Sequence, residues 1–145
     1  MYPSHEKDVY GWALHTVQLL KDKKMNEVDF DGIVEELEEM VGNNENQLIN
    51  RLSLVLTHLL KWQFQPTMRS HSWIYTLEEQ RKRIKILLKQ NPSLKSRLND
   101  NLFDAYDIAI SKAAGETSLD KKAFPMECPY TFDQIMDDTF YPQES

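Results

Sequence analysis

Apolar residues recur every three or four positions along most of the chain, and no run alternates apolar with polar residues between hairpin turns. That spacing predicts helices. The row Val9, Trp12, Ala13, Thr16, Leu19 and Leu20 predicts a first helix from about Glu6 to Lys21, closed by the polar run KDKKMNE. A second helix begins near Asp29 or Asp31, where a carboxylate can cap free amides and meet the positive end of the helix dipole. Its row is Ile33, Leu37, Met40/Val41, Leu48, Leu52, Val55, Leu59 and Trp62, and the phase survives Gly42. The pattern therefore predicts one helix of about 36 residues, roughly 54 Å at 1.5 Å per residue, against the alternative of a break at GNN.

Pro66 ends that helix, because proline has no amide to donate and forces its predecessor out of the helical region. A third helix starts after Ser70 or Ser72, with the row Ile74, Leu77, Arg81, Ile84 and Leu88, and stops before NPSL. A fourth runs to about residue 116, with an interruption expected near Asn99 and the row Leu94, Leu98, Leu102, Ala105/Tyr106, Ala109, Ala113 and Glu116. The remaining segment is held extended by two prolines and anchored by Phe124, Tyr130, Phe132, Phe140 and Tyr141. Thr131 with Gln134 forms a capping-box pattern for a short last helix, FDQIMDD. The fold class expected is all-α: a helical bundle on one long central helix, with a C-terminal extended strap and a short final helix, in one domain over residues 1–145.

Composition narrows the chemistry. The single cysteine, Cys128, cannot form an internal disulfide, and no window approaches the roughly 18 apolar residues of a membrane span. A cytoplasmic protein with no membrane partner is expected. The net charge of −6 is unevenly placed, with 4 Lys/Arg against 11 Asp/Glu in residues 1–50, 10 against 3 in 51–100 and 3 against 9 in 101–145. The acidic flanks can neutralise the basic middle within the fold, and an overall acidic chain makes nucleic acid an unlikely partner.

No catalytic or metal site emerges. The run EELEE decorates the flanks of the Leu37 row, and Glu-x-x-His, which a di-iron bundle needs, is absent. Cys128 has no CxxC partner, and phosphate-binding glycine loops, a GxSxG elbow and an HExxH helix are missing. No cofactor is expected. Two charged residues sit where apolar ones belong: Arg81 must pass the core edge or meet an acid, and Glu116 closes an alanine row. The densest stretch, HLLKWQFQPTMRSHSW (58–73), adds His58, Lys61, Trp62, Arg69 and Trp73. Together with Arg81 and Glu116 these form the candidate polar cluster.

The runs HLLKWQFQP, R-x-x-SW, QRKRI, NPSL, GET and FPMECPYTFDQIMDDTFYP follow one another in an order that resembles the bacterial family catalogued as domain of unknown function 29, from about Val9 to Pro142. The resemblance implies a small all-helical bacterial protein, often encoded in many copies per genome. It supplies no established activity and no site residues. One departure lies in GNNENQ, where the resemblance leads one to expect more charge.

Two functions remain open. One is a non-catalytic helical interaction or regulatory module, binding an unknown protein partner or a second copy of itself. The other is a small enzyme or small-molecule binder using His58, Lys61, Arg69, Arg81 and Glu116. A helical hairpin turning at Pro66 places Glu116 beside Lys61 or Arg69 in a packed corner, with Trp62 and Trp73 largely buried.

Overall fold

Two aspartates begin the first two helices. Asp8 Oδ1 accepts from the Gly11 amide at 2.9 Å and Asp29 Oδ1 from the Gly32 amide at 3.0 Å, each satisfying a donor that no helical carbonyl can reach. In the computed structural model, which describes residues 3–144, the helices are α1 (Val9–Lys21), α2 (Phe30–Phe64), α3 (His71–Gln90), α4 (Leu98–Thr117) and α5 (Phe132–Met136). No strand occurs among the described residues. The all-α bundle on one long central helix is the observed fold. α1 starts at Val9, the first residue of its apolar row and three residues later than the expected Glu6, because Asp8 supplies the cap.

α2 runs unbroken for 35 residues through Gly42. A glycine costs a helix about 1 kcal/mol relative to alanine, too little to break one whose later half is fixed in a core. Short 3-10 turns at Pro66–Met68 and Pro92–Arg97 join α2 to α3 and α3 to α4. The interruption expected near Asn99 is this second turn, which ends where α4 begins at Leu98. α4 stops at Ser118, whose φ of 63° is left-handed, while the Thr117 hydroxyl donates to the Ala113 carbonyl at 2.6 Å. The Thr131–Gln134 capping box forms as predicted, and α5 is shorter than expected because Asp137 is already extended.

The chain divides into two compact units, Met1–Asn43 and Asn44–Ser145. In the larger unit Leu48, Leu52, Val55, Leu56, Leu59 and Leu60 of α2 are fully buried against Leu77 and Ile84 of α3 and Ala105, Ala109 and Ala113 of α4. Each such leucine contributes about 1.5–3 kcal/mol, and the alanine row lets the α4 backbone approach closely. Phe124 meets Phe64 edge-on at 5.3 Å, Tyr130 donates to Gln63 Oε1 at 2.7 Å, and Tyr141 lies 4.7 Å from the Trp62 ring.

In the smaller unit the core is thin: Trp12, Thr16 and Leu19 are its buried α1 residues. Trp12 packs so close to Gly32 that a Cβ there would lie 2.6 Å from its Cζ2. The apolar row of α2 behaves differently here from its continuation. Val34, Leu37, Met40 and Val41 are 51, 54, 58 and 61% exposed, because no element of the smaller unit covers them. Of the predicted row Ile33, Leu37 and Met40/Val41, Ile33 is half-buried and the others stand in solvent. No helix of the described residues is long and apolar enough to cross a membrane.

Candidate functional site

Six of the seven residues of the sequence-predicted cluster resolve into three local arrangements, and His58 stands apart from them. Lys61, near the C-terminal end of α2, places its Nζ 4.7 Å above the Trp73 ring and 3.7 Å from Glu116 Oε1. The expected proximity of Glu116 and Lys61 is thus present. Arg69, in the turn before α3, donates from Nε to the Trp62 carbonyl at 3.0 Å and stacks its guanidinium 4.7 Å from the Trp62 ring. Its carboxylate is Glu144, at 3.9 Å, and not Glu116. Both tryptophans are half-buried, where the corner reading had them largely buried, since each ring keeps one face for a cation rather than for apolar packing.

Arg81 forms the third arrangement. It is fully buried, and it neither passes the core edge nor meets an acid. Nε donates to the Ile135 carbonyl at 2.7 Å, and Nη2 donates to Phe140 at 3.0 Å and Gln134 at 3.4 Å. Gln134 and Ile135 belong to the last turn of α5, whose carbonyls carry the negative end of its dipole; the Asp137 amide already donates to Gln134 at 3.2 Å, and Ile135 takes its donor from Arg81. The guanidinium therefore caps α5 from α3 and fixes the chain beyond it. Its carbon lies 5.9 Å from the Tyr141 ring, so Arg69, Trp62, Tyr141 and Arg81 form a continuous chain of ring contacts. Nη1 has no hydrogen-bond partner among the described residues. Burial lowers the Arg81 pKa, against the raising influence of Tyr141, Asp138 and Asp137.

His58 is pinned by Nδ1, which lies 2.8 Å from the Leu54 carbonyl one turn back and donates to it. Burial lowers its pKa, so the ring is neutral at pH 7. Cys128 donates to the Tyr130 carbonyl at 3.4 Å, and burial raises its pKa, which keeps it a thiol rather than a nucleophilic thiolate. Glu116 is exposed; the buried end of the alanine row is Thr117. Among the described residues no group of three or more His, Cys, Asp and Glu is placed to hold a metal ion.

Hollows lie elsewhere among the described residues. A cavity of about 390 Å³ in the smaller unit is lined by His5, His15, Trp12, Asp29 and Glu35 among others. There His5 bridges Glu36, at 2.7 Å, and Glu35, at 3.3 Å, with its ring 4.6 Å from Trp12. The Glu36 hydrogen bond raises the His5 pKa. A second hollow of about 330 Å³ has Leu102, Phe103, Tyr106, Ile110 and Met126 on its walls beside Cys128. Tyr106 donates to the Pro125 carbonyl at 2.6 Å, and burial pushes its pKa up to about 12. Sequence reasoning missed His5, since its acids are 30 and 31 residues away and only the fold of the smaller unit joins them.

The family model described as Domain of unknown function DUF29 matches residues 4–141. The chain belongs to this family. Among the curated proteins and the solved structures no significant match to it is found. Membership in DUF29 covers both units and the whole ring-contact chain up to Tyr141.

Proposed function

We propose that this DUF29 protein is a non-catalytic helical interaction module whose contact surface is the apolar row on the first part of α2. The observation that carries this reading is the exposure of Val34, Leu37, Met40 and Val41, each more than half open at successive helical spacings. A contiguous exposed apolar row of this kind costs solvation free energy in the isolated chain and is relieved when another surface covers it.

The polar cluster argues the same way from the other side. Its cations are engaged within the chain: Arg81 by three carbonyls, Lys61 by Trp73 and Glu116, Arg69 by Trp62 and Glu144. Such residues fix a corner by engaging their charge within it, which weakens the reading as an enzyme or small-molecule binder. The basic middle of the chain is likewise answered by acids, with Lys82 on Glu78, Arg83 on Glu79, Lys85 on Asp138 and Arg97 on Glu45 and Asp100. That pairing supports self-neutralisation over nucleic-acid binding.

A photo-crosslinking side chain placed at Leu37, with the still more exposed Tyr75 as control, tests the reading in cells of the native host. Discrete protein adducts at position 37 and none at 75 are expected. Adducts no more frequent at 37 than at 75 would refute it.

A further inference from the structure

We infer that the occupant of the α2 row is a basic amphipathic helix of another protein, an inference that rests on the interaction-module reading. Phe30, Val34, Leu37 and Val41 follow one another at steps of four, three and four, the spacing of a coiled-coil seam. They are 55, 51, 54 and 61% exposed. Written as a heptad, Val34 and Val41 fall at a, and Phe30 and Leu37 at d. Valine at a with leucine at d favours pairing with one further helix. The seam ends where Leu48 enters the core of the larger unit, fully buried.

Charge selects which helix. From Met25 to Asn50 the chain carries eight Asp and Glu and no Lys, Arg or His. Glu35 and Glu36 already face His5, and Glu45 faces Arg97. Among the described residues Asp31, Glu38 and Glu39 enter no ion pair, and Asp31 and Glu38 fall at the e positions that flank the seam. A partner with Lys or Arg beside its apolar row meets these carboxylates. A second copy of this chain would bring the same unpaired Asp31 and Glu38 to the flank of the seam, which repels. The geometry thus points to a heterologous, basic helix and away from self-association.

The test uses the full chain and two synthetic peptides of about four heptads, both with Val at a and Leu at d, one with Lys and one with Glu at e and g. Binding is read by fluorescence anisotropy at low and high salt, with Leu37→Gln as the variant; Leu37 is exposed, so the fold does not depend on it. The Lys peptide is expected to bind, more weakly as salt rises, and to lose about tenfold in affinity with Leu37→Gln, as burial of one leucine implies. Lys-peptide binding indifferent to Leu37→Gln would be charge attraction alone and overturns the inference. Equal binding of both peptides overturns the basic partner while leaving the module reading intact. Sedimentation showing that the chain alone dimerises, and that Leu37→Gln abolishes the dimer, makes a second copy the occupant and has the same consequence. Binding of neither peptide overturns the inference, and only joined with failed crosslinking at position 37 does it take the module reading with it.

Discussion

Arg81 Nε donates to the Ile135 carbonyl at 2.7 Å, joining the middle of α3 to the end of α5 across 54 residues of sequence. Losing a charged donor that serves three carbonyls strands above all the buried one of Ile135. Arg81→Met is therefore expected to destabilise the protein by roughly 2–4 kcal/mol in denaturant unfolding. Arg81→Lys should recover only part of this, because an ammonium lacks the planar fork that reaches Ile135 and Phe140 together. Limited proteolysis should cut between 137 and 144 sooner in both variants. An unchanged midpoint with unchanged cutting would show that the cap is dispensable.

The two glycines of α2 are expected to respond in opposite directions. A Cβ at Gly32 would stand 2.6 Å from Trp12 Cζ2 and 2.7 Å from Asp29 Oδ2, so Gly32→Ala must displace a buried ring and the helix cap. A loss of about 1–3 kcal/mol follows. Gly42 has nothing within 4 Å of such a Cβ. Gly42→Ala should gain up to about 1 kcal/mol from helix propensity alone. Thermal melts of the two variants in parallel check both signs.

How much of this was legible in the sequence depends on whether the interaction was local. The continuous α2, the Pro66 stop and the Thr131–Gln134 box follow from spacing and caps within a few residues, and all are present. Lys61 and Glu116 were placed together from the helical hairpin register. The partners of Arg81 were not readable, because backbone carbonyls are the same in every residue and carry no sequence signal. The exposure of Leu37 is not readable from periodicity either: an apolar row marks a face to be covered and does not say which chain covers it.

At the corner, Trp73→Ala is expected to cost about 2–3 kcal/mol, below the 3–5 of a fully buried aromatic, because the ring is half-buried under Lys61. Glu116→Gln should cost less than about 1 kcal/mol, since the carboxylate is half exposed and screened. Equilibrium unfolding of both variants decides it, and a Glu116 effect above that of Trp73 would reverse the assignment of roles.

Of the four histidines, His5 and His58 should titrate on opposite sides of their ordinary 6.5. His5, raised chiefly by Glu36, keeps its proton longer in the folded chain. Its contribution is fully present below pH 6.5 and is lost as pH rises through the higher folded value. His58, lowered by burial, refuses a proton that the unfolded chain accepts. Its effect is a loss of stability as pH falls from 6.5 towards the lower folded value. Ring-proton NMR across this range resolves the two; His58 titrating above His5 would contradict both placements.

The central claim is that the first part of α2 is an uncovered contact face. Methyl NMR of a Leu- and Val-labelled full chain, recorded alone and in a soluble extract of the host, tests it residue by residue. The account predicts that Val34, Leu37 and Val41 shift or broaden in the extract while the buried Leu52, Val55 and Leu56 stay in place. Unmoved Val34, Leu37 and Val41 methyls, with changes confined to residues beyond 44, would contradict it.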